Sequence, residues 1–163
     1  MENFKIEVDG DGIALVTFDV PGRSMNTLTA SVIQEVGELV ARIKNPVDEI
    51  TIHVVGKYVG YEDSYKSLNE ALYHGGFPHG LKVNIKWIEA EALEEPNGES
   101  LLDGADGILV PGGFGDRGTR GMMRAAQIAR ERQIPYFGIC YGFQWATVEY
   151  ARTRLRSFGV RAV

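Results

Sequence analysis

The sequence predicts an α/β protein: a parallel, doubly wound sheet preceded by a small β-hairpin and one helix. From about residue 50 onward, short apolar runs alternate with segments whose apolar residues recur every three or four positions, which is the pattern of repeated β-α units. Twenty of the 163 residues are glycine, about 12% where roughly 7% is usual, and several cluster directly after apolar runs. Ahead of residue 45 the pattern differs, with two short alternating segments and then a helical period.

In chain order, Phe4 to Val8 and Ile13 to Phe18 read as strands joined by a turn at Asp9-Gly-Asp-Gly12. From Leu28 onward Val32, Val36, Leu39, Val40 and Ile43 mark one face of a helix that ends at Asn45-Pro46, since the residue before proline avoids helical torsions. Ile50 to Val55 is a strand. Asp63 to His74 is a helix with Tyr65, Leu68, Ala71 and Leu72 on one face and Gly75-Gly76 as its stop. Leu81 to Ile88 is the next strand, Glu89 to Glu95 a short helix or loop with a solvated edge, and Gly107 to Val110 an apolar strand. Thr119 to Arg132 is a helix with Met122, Ala125, Ala126 and Ala129 inward, Tyr136 to Ile139 a strand, and Tyr141 to about Arg152 the last helix. Trp87, Tyr136 and Phe137 are expected in the core. The tail, residues 153–163, shows no helical period and reads as a loose terminus, with the further expectation that it is a shifted reading frame.

Composition narrows the function. Hydrophobic residues make up 44% and charged residues 24%, which is the balance of a globular protein rather than a disordered one. No apolar run reaches the roughly 18 residues of a membrane span, and the amino terminus lacks a basic and apolar leader, so a cytoplasmic protein without a membrane partner is expected. Residues 1–116 carry a formal charge of −12 and residues 117–163 carry +7, all from arginine on the basic side. Several of those arginines belong to a helix that needs a solvated face, so nucleic acid is not expected as a partner. One cysteine can form neither an internal disulfide nor a thiolate metal site, and none of His53, His74 and His79 has a metal-ligand partner at fixed spacing. No metal is expected.

That cysteine, Cys140, lies in Gly138-Ile-Cys-Tyr-Gly142, between an apolar strand and a helix. This is the cysteine form of a nucleophile elbow: a tight strand-to-helix turn lifts the side chain above the sheet edge, and small neighbours relieve the crowding. The helix amino end there stabilises an anionic sulfur. The alternative is an inert buried thiol, because free cysteine is often buried. A second cluster, Val110-Pro-Gly-Gly-Phe-Gly-Asp-Arg-Gly118, follows the preceding strand. Its glycines let backbone N–H groups approach an oxyanion, or they serve a plain βα turn. Acyl transfer needs a nucleophile and an oxyanion site within about 3 Å of one carbonyl, and the two clusters fall on successive strands.

TIHVVGKYVGYEDSYKSLNEAL, KVNIKWI, DGILVPGGFGDRG, IPYFGICYGFQ and VEYAR together resemble the amino-terminal half of the class I glutamine amidotransferase domain of the CTP synthase family. The resemblance runs from about Ile50 to Arg152, with a linker-like VARIKNPVDE before it. It implies a flavodoxin-like sheet, partial in this chain, over residues 46–152. It also implies that Cys140 attacks the glutamine side-chain amide, that Gly112 and Gly113 form the glycine loop and oxyanion site, and that Gly113, Tyr141, Gly142, Phe143 and Gln144 line the glutamine site. Arg117 and Gly118 would lie in a region tied to GTP response. There this chain has Arg120 where the family has an acid, which puts that response in question.

The family's ammonia goes to a synthase domain that uses ATP and magnesium to convert UTP to CTP, and its Cys-His-Glu triad is completed by a later His-Pro-Glu motif. Neither is found in this sequence, so the expectations are a ligase-family glutaminase portion with L-glutamine as its ligand, little or no activity alone, no cofactor of its own, a synthase domain supplied by another chain, and a possible oligomer. Residues 1–40 resemble the start of a crotonase-type, enoyl-CoA hydratase domain, with a junction between Val36 and Asn45 and the first segment ending at residue 45. The alternatives are a non-catalytic interaction fragment and an acyl-CoA-binding remnant.

Overall fold

The computed structural model describes residues 1–10, 14–60 and 62–157. Its elements are β1 (Phe4–Val8), β2 (Ala14–Phe18), α1 (Ala30–Lys44), β3 (Asp48–Gly56), α2 (Lys66–Gly76), β4 (Leu81–Glu89), β5 (Gly107–Val110), α3 (Thr119–Arg132), β6 (Tyr136–Gly138) and α4 (Tyr141–Ser157), with short 3-10 helices at Glu62–Tyr65, Phe77–His79, Ala90–Glu94 and Gly98–Leu102. They fall into two compact units, Met1–Glu49 with Ser67–Val83, and Ile50–Lys66 with Asn84–Val163.

In the first unit β1 and β2 pair antiparallel from Phe4↔Phe18 to Val8↔Ala14, and the rings of Phe4 and Phe18 stack at 4.8 Å. The expected turn residues Asp11 and Gly12, and Ile13 after them, lie outside the described residues. Helix α1 starts at Ala30 rather than Leu28 because Thr29 caps it, its Oγ1 accepting from the Val32 N–H at 3.3 Å. It stops where expected, at Asn45, whose side-chain amide donates to the Ala41 carbonyl at 2.8 Å. Glu35 reaches from α1 to the amino terminus and accepts from the Glu2 N–H at 2.9 Å and the Asn3 N–H at 3.0 Å. Burial pushes its carboxyl up, but these hydrogen bonds outweigh burial and hold it below the ordinary carboxylate range. Of the apolar stripe on α1 only Val32 is fully buried, while Val36, Val40 and Ile43 stay about half open.

Helix α2 takes in both glycines expected as its stop and ends at Gly76; the 3-10 helix that follows is capped by Gly80, which takes the left-handed conformation (φ 65°). Gly76 is small for a different reason: a Cβ there would stand 2.6 Å from the Leu81 carbonyl oxygen. At its other end α2 begins at Lys66, the preceding turn being 3-10.

In the second unit a four-stranded sheet has the order β4-β3-β5-β6. It is parallel at β3–β5, where His53 pairs with Ile108, and at β5–β6, where Ile108 pairs with Tyr136. All of β5 is buried, as an inner strand between covered faces should be. Val55, Ile88, Ile108 and Val110 of the sheet pack with Leu93 and Leu102 and with Met122, Ala125, Ile128 and Ala129 of α3, each large side chain contributing about 1.5–3 kcal/mol by burial. The α/β class and the bounds of β5 and α3 agree with the sequence reading. Phe137 does not, because it is 64% exposed. Side chains alternate along a strand, so when Tyr136 turns into the core Phe137 must face the other way.

The tail also differs. Helix α4 continues through Thr153, Arg154 and Leu155 to Ser157, and residues 158–163 lie outside the described residues. The extension has a local cause: Arg130 of α3 pairs with Glu149 at 2.7 Å, and Thr153 one turn later donates to Glu149 at 2.9 Å. Burial pushes the Glu149 carboxyl up, while the bonds from Arg130 and Thr153 win and hold it below its ordinary range.

Candidate active site

The parallel β5–β6 ladder brings two strand ends to one edge. Ile108 N–H donates to the Pro135 carbonyl at 2.8 Å and Ile139 N–H to the Val110 carbonyl at 2.9 Å, so Pro111 and Cys140 leave the sheet side by side. Cys140 takes φ 52°, a left-handed torsion uncommon outside glycine, and its thiol is exposed. Its carbonyl accepts from the Gln144 N–H at 3.1 Å, the first turn of α4. The sharp turn requires glycine on both sides: a Cβ on Gly138 would lie 2.6 Å from the Phe143 nitrogen, and one on Gly142 would lie 2.1 Å from the Val110 carbonyl oxygen. The tight strand-to-helix turn expected from the sequence is formed, and its thiol is exposed rather than buried.

Gly112 stands beside this thiol, its Cβ direction pointing at Cys140 Cβ (3.5 Å) and Sγ (4.0 Å). Gly113 backs onto Lys57 and Tyr58, which a Cβ would meet at 3.5 Å. Tyr141 lies under the loop, with its ring 5.7 Å from that of Phe114 and its hydroxyl donating to the Gly115 carbonyl at 3.4 Å. Gly142 is buried and its carbonyl accepts from Tyr136 Oη at 3.0 Å. Burial raises the Tyr136 phenol well above its ordinary range, keeping it a donor through neutral pH. Phe143 and Gln144 are exposed on the first turn of α4.

Arg117 folds back. It donates to Glu91 Oε1 at 2.9 Å and to the Lys57 carbonyl, and lies over the Tyr58 ring at 5.9 Å. Gly118 takes a left-handed φ of 68° to start α3, close against Ala90. Arg120 is exposed and shares an open depression of about 240 Å³ with Arg124 and Arg152. That hollow does not include the thiol or the glycine loop.

Lys57 is the residue the sequence reading passed over. It is 2% exposed, donates from Nζ to the Phe114 carbonyl at 3.3 Å and to the Gly115 carbonyl, and sits 4.8 Å from the centre of the Tyr141 ring. Burial, followed by the Arg117 charge, lowers its pKa, and Asp116 and Glu91 pull the other way. A lysine one residue past an apolar strand carries no sign of burial in its own sequence, since lysines there usually reach solvent.

His53 lies inside the sheet opposite Ile108, away from the edge that carries Cys140, and its Nδ1 has no hydrogen-bond partner. His74 is in α2 and His79 in the 3-10 turn that follows. Among the described residues no group of three or more His, Cys, Asp or Glu is placed to hold a metal ion, and no helix is long and apolar enough to cross a membrane.

Residues 61–160 match the family described as glutamine amidotransferase class-I. The chain belongs to the class I glutamine amidotransferase family. Curated relatives of this amidotransferase chain include the CTP synthase of Acidobacterium capsulatum, 60% identical over 114 residues that are 70% of this chain and 21% of the relative. Another is the CTP synthase of Methylorubrum populi, 56% identical over 115 residues, 71% of this chain and 21% of the relative. The chain therefore spans about a fifth of those relatives' length. A similar solved structure is the glutaminase domain of Trypanosoma brucei CTPS with bound acivicin, 41% identical, with a TM-score of 0.59, covering 63% of this chain and 40% of that one. The family match is to class I amidotransferases in general, and these relatives and this neighbour are CTP synthases.

Proposed function

We propose that this chain carries the nucleophile and oxyanion-loop part of a glutamine-hydrolysing module of CTP synthase type. The observation that carries it is the exposed Cys140 thiol, held at a left-handed φ on the β6–α4 turn with Gly112 beside it. The Cys140 thiolate adds to the side-chain carbonyl carbon of L-glutamine, forming a C–S bond and moving an electron pair onto oxygen. Backbone N–H groups of Gly112 and Gly113 stabilise that oxyanion. Collapse breaks the C–N bond, the leaving nitrogen takes a proton and departs as ammonia, and water then hydrolyses the thioester to glutamate. Gly113, Tyr141, Gly142, Phe143 and Gln144 border the glutamine.

The histidines of this sequence are at positions 53, 74 and 79; His53 is taken up within the sheet opposite Ile108, and none of the three is assigned as the general base. Proton transfer then falls to water, so adduct formation outpaces turnover. The ammonia would serve a synthase domain, where ATP and magnesium support amination of UTP to CTP.

The test is intact-mass analysis after incubation with acivicin, the compound bound in the Trypanosoma brucei structure, with Cys140→Ala alongside. We expect one stoichiometric adduct, absent in the variant. Steady ammonia release from glutamine should lie at least about a thousandfold below that of a complete amidotransferase. Labelling no faster than by a plain thiol reagent would overturn the reading.

A second reading, an interaction module, is favoured by the exposure of Phe137 (64%) on β6, an edge strand of the sheet. A monomer at all concentrations in size-exclusion chromatography would count against it. For residues 1–40 the crotonase-type origin is supported by the order hairpin then helix, and retention of CoA through purification would test it.

A further inference from the structure

We propose that Lys57 is a positioning residue for the thiol chemistry at Cys140, acting through the glycine loop; this rests on the reading of Cys140 as nucleophile given above. A lysine is almost never fully buried unless its charge is paired. Here Nζ bonds two neutral carbonyls, those of Phe114 and Gly115, and the Tyr141 ring covers it from a third direction. Asp116 and Glu91 influence it only through space. A cation desolvated against neutral backbone stabilises one particular arrangement of that backbone.

The arrangement follows from peptide geometry. The described chain contains no cis peptides, and in a trans peptide the C=O and the following N–H point in opposite directions. With the Phe114 and Gly115 carbonyls drawn onto Nζ, the N–H groups of Gly115 and Asp116 are turned away from the buried lysine. Gly115 has φ 93°, open to glycine alone, and its carbonyl is shared between Lys57 and the Tyr141 hydroxyl. Tyr141 directly follows Cys140. Lys57 thus couples the loop beside the thiol to the first residue of the helix that carries it, and Arg117 closes the circle by donating to the Lys57 carbonyl. Gly113 rests on the lysine stem, its Cβ direction 3.5 Å from Cδ.

The experiment compares wild type, Lys57→Met and Lys57→Ala by the rate of Cys140 labelling with two reagents: acivicin, which needs an ordered glutamine site, and iodoacetamide, which needs only the thiol. Because misplacing reacting groups by about 1 Å can cost about 100-fold, K57M is expected to lose at least about 30-fold with acivicin while its iodoacetamide rate stays within about threefold. Propylammonium replaces the atoms removed in K57A and is expected to restore acivicin labelling saturably, with propanol inactive. Circular dichroism melts check folding, and if K57A does not fold, the two-reagent ratio in K57M decides. Equal acivicin rates in K57M and wild type, a parallel loss with both reagents, or no rescue of folded K57A by propylammonium would overturn the proposal. A wild type that fails to label selectively with acivicin would instead overturn the amidotransferase reading itself.

Discussion

Helices α1 and α3 have nearly the same length, 15 and 14 residues, and both repeat apolar positions every three or four residues. Helix α3 seats Met122, Ala125, Ala126, Ile128 and Ala129 in the core, whereas α1 buries only Val32 of its stripe. Periodicity reports that a helix has an apolar face, and the surface available to that face decides how much of it is covered. In its own unit α3 meets a parallel sheet whose central strand is buried along its length. In its own unit α1 has a two-stranded hairpin and helix α2 but no broad sheet, which leaves less apolar area to cover a stripe four turns long.

The sharpest way to break this comparison is a glycine in each helix. A Cβ on Gly121 of α3 would lie 1.7 Å from the Ala90 carbonyl oxygen, whereas one on Gly37 of α1 would meet nothing within 4 Å. Gly121→Ala is expected to cost more than about 4 kcal/mol and to abolish cooperative unfolding in urea, because a backbone contact cannot be repacked. Gly37→Ala should instead gain about 0.5–1 kcal/mol. Next in size, Met122→Ala should lower stability by about 2–5 kcal/mol and Val40→Ala by less than about 1 kcal/mol, read from urea midpoints at fixed slope. Equal costs would mean that the open face of α1 is covered in solution.

The smallest effect is one of pH. Burial, then the Lys86 charge, lowers the His53 pKa below 6.5, with Asp106 opposing. Below pH 6.5 the unfolded chain takes up a proton that the folded chain refuses, so stability falls as pH drops from 6.5 toward the folded pKa, by at most about 1.4 kcal/mol per unit. His53→Val should remove that slope between pH 6.5 and 5 in thermal melts.

Much of the fold was legible where local pattern and tertiary setting agree. Gly107 and Gly112 bracket β5, Gly118 opens α3 and a clean apolar period marks its inward face, and the elbow glycines flanking Cys140 announce a crowded turn. Reading failed where the deciding contact is remote in sequence. Gly76 looks like a plain helix stop but is also small to pass the Leu81 carbonyl oxygen. Thr153 looks like the start of a tail but is held by Glu149 and, 23 positions back, by Arg130. Phe137 looks like core, and its face of the edge strand is open. Lys57 was invisible because its partners, Phe114 and Gly115, are backbone carbonyls 57 and 58 positions away, and a backbone acceptor leaves no mark on composition.

The φ of 52° at Cys140 also bears on how this molecule can change over generations. A side chain in the left-handed region carries about 1 kcal/mol of conformational strain that glycine does not. Replacement of Cys140 by glycine would therefore relax the fold while removing the proposed nucleophile, whereas Gly138 and Gly142 on either side tolerate no side chain at all. Neutral drift toward stability would erase the thiol before it touched the turn that presents it. On the function proposed above, a cysteine at that position is what selection for reactivity, rather than for folding, would preserve.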